Sequence, residues 1–241
     1  MLEQLINKVT FIRWEEGIKS IPDSTIDMVL TDIPYTMFPR GTTTGCGYNE
    51  AFNHIGDGQD MFGYGLPDKE LMLKELYRVM KPQAHCYIFA SIHDFTDLLN
   101  AVKNQGFKLA NLIVWKKNKR IANRYYMNNC EFIWMIRREK DRSKYVNDCS
   151  INNVLECPIL EGKKRLNPTE KPLEILETMI KQSSQEGEIV LDLFAGSAST
   201  GVASIRNNRR FIGFEIDEIQ HGKGQERLEA LLQTLKGDVN E

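Results

Sequence analysis

Histidine and cysteine are scarce in this chain, and neither is arranged to hold a metal. The four histidines, His54, His85, His93 and His221, are scattered, and the five cysteines, Cys46, Cys86, Cys130, Cys149 and Cys157, form no CxxC pair. Zinc sites draw on closely spaced Cys and His ligands, so this pattern argues against one. An odd number of dispersed cysteines also suits buried thiols in a reducing cytoplasm better than a disulfide framework. A bilayer-spanning run of about 20 apolar residues is missing. The opening "MLEQLINKVTFIRW" lacks the basic-then-apolar order of a signal peptide. Repeats and low-complexity tracts are missing as well. What is present is an ordinary globular composition, 41% hydrophobic and 27% charged over 241 residues, enough for one large domain or one domain with an insertion.

The hydrophobic pattern alternates between two periods. "IDMVLTD", "AHCYIFAS", "KLANLIVWKK", "NCEFIWMIRR", "EIVLDLF" and "RFIGFEID" read as strands. Between them, "DKELMLKELYRVM" spaces Leu71, Leu73, Leu76, Val79 and Met80 as a helix would, with Asp68 as its cap. "DFTDLLNAVKNQG" reads as a helix ending at Gly106, and "PLEILETMIKQSS" as one opened by Pro172. "STGVASIRNN" and the closing "GQERLEALLQTL" complete the set. Strands alternating with helices imply an α/β fold, a mostly parallel sheet covered on both faces. Two stretches break the rhythm. Thr36 to Pro67 holds seven of the seventeen glycines and reads as a mobile loop or lid. Arg142 to Glu170 is polar and basic and is expected outside the sheet.

Three strand ends carry chemistry-bearing residues. "MVLTDIPYTMF" places Asp32, Ile33, Pro34 and Tyr35 where a strand stops, and open α/β sheets bind ligands beyond the carboxyl ends of their strands. On its own the stretch is no more than an Asp/Pro turn. "VLDLFAGSASTG" runs from a strand through small residues into a helix, whose free N–H groups and unobstructed backbone admit a ligand closely. The following strand ends in Glu215, placed to accept the hydroxyls of a ribose. The turn lacks GxGxxG, which argues against a nicotinamide dinucleotide.

The net charge of −2 conceals an uneven distribution. Lys103 to Lys171 holds 16 Lys/Arg against 7 Asp/Glu, a net of +9, and the remainder carries −11. Within it "WKKNKRIANRYY" sets Lys116, Lys117, Lys119, Arg120 and Arg124 beside Tyr125. Cations interleaved with aromatics are the footprint of a nucleic-acid face; a lysine-rich solvated surface is the plainer alternative.

Taken in order, "DIPY", "ELYRVMKPQAHCYIF", the basic stretch, "NPTEKPLEILETMI", "LDLFAGSASTG" and "RRFIGFEID" resemble the β-class DNA amino-methyltransferases, the D-P-P-Y family. The resemblance covers nearly the whole chain. It implies a single Rossmann-like methyltransferase domain over 1–241, with a seven-stranded, mostly parallel sheet and helices on both faces. Within that domain the glycine-rich residues 36–67 are expected to be a mobile loop, and about 117–168 a target-recognition region. It implies S-adenosylmethionine as cofactor, double-stranded DNA as substrate, and neither metal nor membrane. A homodimer is compatible with the sequence, which does not reveal the oligomeric state. By the same resemblance Asp32 and the carbonyl of Ile33 accept the target amine's hydrogens and Tyr35 stacks on a flipped base. Phe194 packs near the cofactor's adenine, Asp192, Ala195 and Gly196 approach its methionine part, Glu215 holds its ribose, and Thr169 and Lys171 close the site. Cytosine-N4 members usually carry Ser where Asp32 stands, which favours adenine N6. Cytosine N4, RNA adenine and a non-catalytic DNA-binding relic are the alternatives. The chain departs from the pattern at Ile33 and Leu193, each in place of proline, and at Asn167 and Glu170 in the customary H-P-T-Q-K-P. Ala198 replaces the second glycine of F-x-G-x-G, and alanine is comfortable there only at negative φ.

Overall fold

A computed structural model describes residues 2–34, 64–121, 126–142, 144–160, 166 and 169–238. Eight strands form one sheet: β1 (Lys8–Phe11), β2 (Ile26–Asp32), β3 (Met80–Ala90), β4 (Phe107–Ile121), β5 (Asn128–Arg138), β6 (Val154–Glu156), β7 (Ile189–Asp192) and β8 (Arg210–Glu215). The helices are the one-turn α1 (Trp14–Gly17), α2 (Lys69–Val79), α3 (Phe95–Asn104), α4 (Leu173–Ser183), α5 (Ser199–Arg206) and α6 (Glu218–Asp238). The spatial order is β1-β8-β7-β2-β3-β5-β4-β6. Neighbours are parallel except where β5 lies antiparallel between β3 and β4.

The α/β class and the mostly parallel sheet agree with the sequence, but the described residues already hold eight strands in the sheet where seven were expected. β6 lies inside the stretch expected to sit outside the sheet, and its three residues pair with Val114 to Lys116 of β4. β1 was equally inconspicuous: four residues of "KVTF" show too little alternation to announce a strand, and their partner in β8 is some two hundred residues away.

Alternating side chains divide the sheet into two buried faces. Val29, Cys86, Ile88 and Ala90 join the core under α2 and α3, whereas Met28, Leu30, Tyr87 and Phe89 join the one under α4. A third cluster, with Val202, Ile205, Phe211 and Leu228, seats α5 and α6. Asp68 caps α2 by accepting from the Glu70 and Leu71 amides at 3.0 and 3.1 Å. That helix buries Met72, Leu73, Leu76 and Val79 and leaves Leu71 in solvent, so the stripe begins one residue later than its spacing suggested. Gly106 ends the next helical segment with φ +75°, as a left-handed stop requires.

Candidate active site

From β2 the chain crosses to β3 on one side; β7, β8 and β1 extend the sheet on the other. Such a reversal opens a crevice beyond the carboxyl ends of the two strands at the switch, here β2 and β7. Asp32 ends β2, Asp192 ends β7 and Glu215 ends β8, so three carboxylates stand on three consecutive strands. One cavity there is bordered by Asp32, Ile33, Pro34, Thr169, Lys171, Asp192, Phe194, Ala195, Gly196 and Glu215. Every catalytic and cofactor residue singled out in the sequence therefore meets in one place, apart from Tyr35, which lies outside the described residues along with nearly all of 36–67.

Each carboxylate has a different environment. Glu215 is pinned by backbone amides: Gly196 donates to Oε2 at 2.7 Å, and Ile216 and Asp217 donate to Oε1 at 2.8 and 2.7 Å. Burial raises its carboxyl and these amides partly oppose the rise. Asp192 is almost fully buried and accepts from Thr31 Oγ1 at 2.8 Å and the Phe194 amide at 3.1 Å. Burial pushes it up to about 6 despite those bonds. Asp32 is bound by the ammonium of Lys171, which also lies 3.5 Å from Glu131 Oε2. Burial alone would lower Lys171, but Asp32 and Glu131 together hold it above the ordinary lysine range.

The turn after β7 keeps glycine-like geometry without all its glycines. Gly196 has φ +51° and Ala198 φ +60°, so the alanine occupies the conformation in which it is strained, at about 1 kcal/mol. Ala198 is fully buried, and a Cβ on Gly224 of α6 would stand 3.3 Å from the Ala198 Cβ and 2.9 Å from the Gly196 carbonyl oxygen. Gly224 thus lets α6 close over the turn. Nearby, Arg227 of α6 donates to Glu170 at 2.7 Å and to the Ser197 carbonyl at 3.2 Å, tying the Thr169–Lys171 segment to the same turn. Ile33, standing where the family has proline, is buried in the main core.

Residues 26–222 match the DNA methylase family of N6/N4 type. The chain belongs to that family. The methylase is 28% identical over 236 residues to the Type II methyltransferase M2.DpnII of Streptococcus pneumoniae, covering 88% of this chain and 85% of the relative. YubD of Escherichia coli (strain K12) is 30% identical over 222 residues, covering 90% and 88%. Among solved structures, an M1.HpyAVI–SAM complex superposes with a TM-score of 0.66 at 22% identity over 91% of this chain and 98% of that one. PvuII DNA methyltransferase, cytosine-N4-specific, gives 0.67 at 16% identity over 92% of each. The methylase is an S-adenosylmethionine-dependent DNA methyltransferase.

The cavity suits that cofactor. S-adenosylmethionine presents a ribose diol and two cationic centres, and the cavity offers the acceptors Asp192, Glu215 and Asp217 between the apolar walls of Phe194, Ile216 and Trp14. Glu215 Oε2 takes a single amide and retains acceptor capacity for a hydroxyl. Among the described residues no group of three or more His, Cys, Asp or Glu could hold a metal ion, and no helix is long and apolar enough to cross a membrane.

The basic run does not form one outward face. Lys116, Lys119 and Arg120 are exposed, with Lys116 2.8 Å from Glu156. Lys117 points to the other face, 4.9 Å over the Trp115 ring and bound to Glu131, and is only 11% exposed. It therefore does not share the outward position expected of it. Arg124 and Tyr125 lie outside the described residues. Sequence reasoning missed Glu131, Thr31 and Trp14. A lone carboxylate opening the apolar run "FIWMI" was the one signal for Glu131, whereas Thr31 and Trp14 are ordinary members of a strand and a helical turn.

Proposed function

We propose that this methylase transfers a methyl group to the N6 amine of adenine in duplex DNA, with Asp32 as the residue that acts on the amine. The observation that carries the reading is a carboxylate at the end of β2 bordering the same cavity as Glu215 and Asp192. An aromatic exocyclic amine is a poor nucleophile because its lone pair is delocalised into the ring. Asp32 accepts one of its hydrogens and the Ile33 carbonyl the other, which localises the lone pair for attack. Tyr35 stacks on the base, which must leave the duplex to reach so recessed a cavity. S-adenosylmethionine supplies the electrophilic methyl group on its sulfonium. Glu215 fixes the ribose, Phe194 the adenine, and Asp192, Ala195, Gly196, Thr169 and Lys171 border the remainder, so that orientation supplies much of the rate. About 117–168 serves as the target-recognition region. A carboxylate rather than serine at position 32 supports adenine over cytosine.

The test is to incubate the enzyme with duplex DNA and labelled cofactor, digest to nucleosides and identify the product. N6-methyldeoxyadenosine is expected, and N4-methyldeoxycytidine would overturn the adenine assignment. Asp32→Ala should abolish transfer while cofactor affinity stays within a few-fold. Wild-type turnover in that variant would remove Asp32 from the chemistry, and transfer to RNA alone would replace the substrate.

A further inference from the structure

Glu131 has no part in the chemistry described so far, yet it stands between two nearly buried lysines. It opens the apolar part of β5 directly opposite Trp115 of β4. Lys117, two residues along β4 and on the Trp115 face, binds one of its oxygens; Lys171 stands 3.5 Å from the other. Lys171 also binds Asp32 and lies 5.1 Å over the ring of Phe89. The side chains of Lys117 and Lys171 are only 11% and 6% exposed. Charges of alternating sign thus run Lys117, Glu131, Lys171, Asp32, from a recognition strand to the carboxylate at the end of β2.

We propose that Glu131 and Lys117 are positioning residues that set how tightly Lys171 holds the Asp32 carboxylate, and thereby tune Asp32 as the acceptor for the target amine. The inference rests on Asp32 being the catalytic carboxylate. A buried ammonium facing a single carboxylate forms a tight pair, and a carboxylate so engaged is a weak acceptor for anything else. Glu131 divides the attention of Lys171, and Lys117 in turn limits how far Glu131 can draw it away. Both carboxylates contribute to keeping Lys171 charged, and both lysines hold Glu131 below the ordinary carboxylate range against the opposing effect of burial. Among the described residues Asp192 on β7 is a further charged neighbour, its carboxyl raised chiefly by burial and in small part by Asp32. On its other side β3 places the uncharged Phe89 beside Asp32.

Removing either partner should move Asp32 in opposite directions. Glu131→Gln leaves two cations unopposed near Asp32, which should then stay ionised to lower pH and accept the amine less well. Lys117→Met leaves Glu131 to Lys171 alone, which loosens the hold on Asp32 and raises the pH at which it protonates. The charge-balanced double variant should fall back toward wild type. The measurement is the single-turnover methylation rate at saturating DNA and S-adenosylmethionine across pH, with cofactor affinity followed by calorimetry. The acid limb should move down for Glu131→Gln and up for Lys117→Met, each by about one pH unit. Cofactor affinity should hold within about twofold, because neither residue borders the cofactor cavity. Limbs that stay put, or that move the same way in both variants, would overturn the proposal. If Glu131→Gln fails to fold, Lys117→Met and the double variant still decide, since a double variant displaced as far as Lys117→Met contradicts it. Asp32→Ala separates the two levels: activity there defeats the underlying assignment, while a dead Asp32→Ala with unmoved limbs defeats this inference alone.

Discussion

Asp192 shows at the scale of one residue how a ligand site is held at the expense of the fold. Its carboxyl titrates at about 6 in the folded chain because burial disfavours the charge, against about 4 when unfolded. The folded state therefore binds the proton more tightly, so stability is fullest at low pH and declines as pH rises from about 4 to about 6. Above that window the ionised carboxylate costs on the order of 3 kcal/mol, a figure already reduced by the hydrogen bonds it accepts. Asn at this position keeps the oxygen that accepts from Thr31 and Phe194, gives up the carboxylate's bond from Thr200 and removes the charge. Asp192→Asn should melt higher than wild type at pH 7.5, with the difference shrinking toward pH 4, and should bind S-adenosylmethionine more weakly. A lower melting temperature across the whole pH range would show that the carboxylate stabilises the fold instead. That Asp192 ends a strand was legible from "VLDLF". Its protonation energy was not, because this depends on Thr31, contributed by a strand 161 residues away in sequence.

At the scale of elements, legibility followed length and locality. Strands set in an apolar run, the four-residue β7 within "EIVLDLF" included, and helices with a clear apolar stripe were readable, since each carries its signal within its own sequence. β1 and β6 were not, because "KVTF" and "VLE" carry no apolar run or alternation of their own and take their place from β8 and β4. The turn between β7 and α5 illustrates the intermediate case. Its small residues announced a close approach, but whether Ala198 was strained depended on the backbone angle, and the angle is +60°. The close seating of α6 through Gly224 holds the turn in that shape. Ala198→Gly should relieve the strain and raise stability by up to about 0.6 kcal/mol, the strain of about 1 kcal/mol less the roughly 0.4–1 kcal/mol that glycine's added freedom contributes to the unfolded chain. Chemical denaturation at constant slope would measure it. A loss of stability would mean that the Ala198 methyl packs against α6 more favourably than its backbone is strained.

For the whole molecule, the balance of charge separates two jobs that the sequence alone ran together. The net +9 of Lys103 to Lys171 suggested one continuous basic face, but Lys117 turns inward to Glu131 whereas Lys116, Lys119 and Arg120 stand outside. Periodicity in "WKKNKR" could not foretell that split, because it groups Lys117 with Lys119, and the pairing with β5 shifts register between Lys116 and Ile121; nor could it name Glu131, which lies on the next strand. If the outward cations face DNA, they neutralise phosphates and release counterions, and affinity falls with salt at a log–log slope of about −0.9 per phosphate contact. Reversing Lys116, Lys119 and Arg120 to Glu together should flatten that slope by up to roughly 2.7 and weaken binding to all duplex sequences alike. Lys117 is left intact, because changing it would disturb the ion pairs leading to Asp32 and mix a catalytic effect with an electrostatic one. Fluorescence anisotropy over a range of salt concentrations provides the slope. A triple variant with the wild-type salt dependence would mean that these side chains only solubilise the edge of the sheet, and the DNA face would have to be sought elsewhere on the chain.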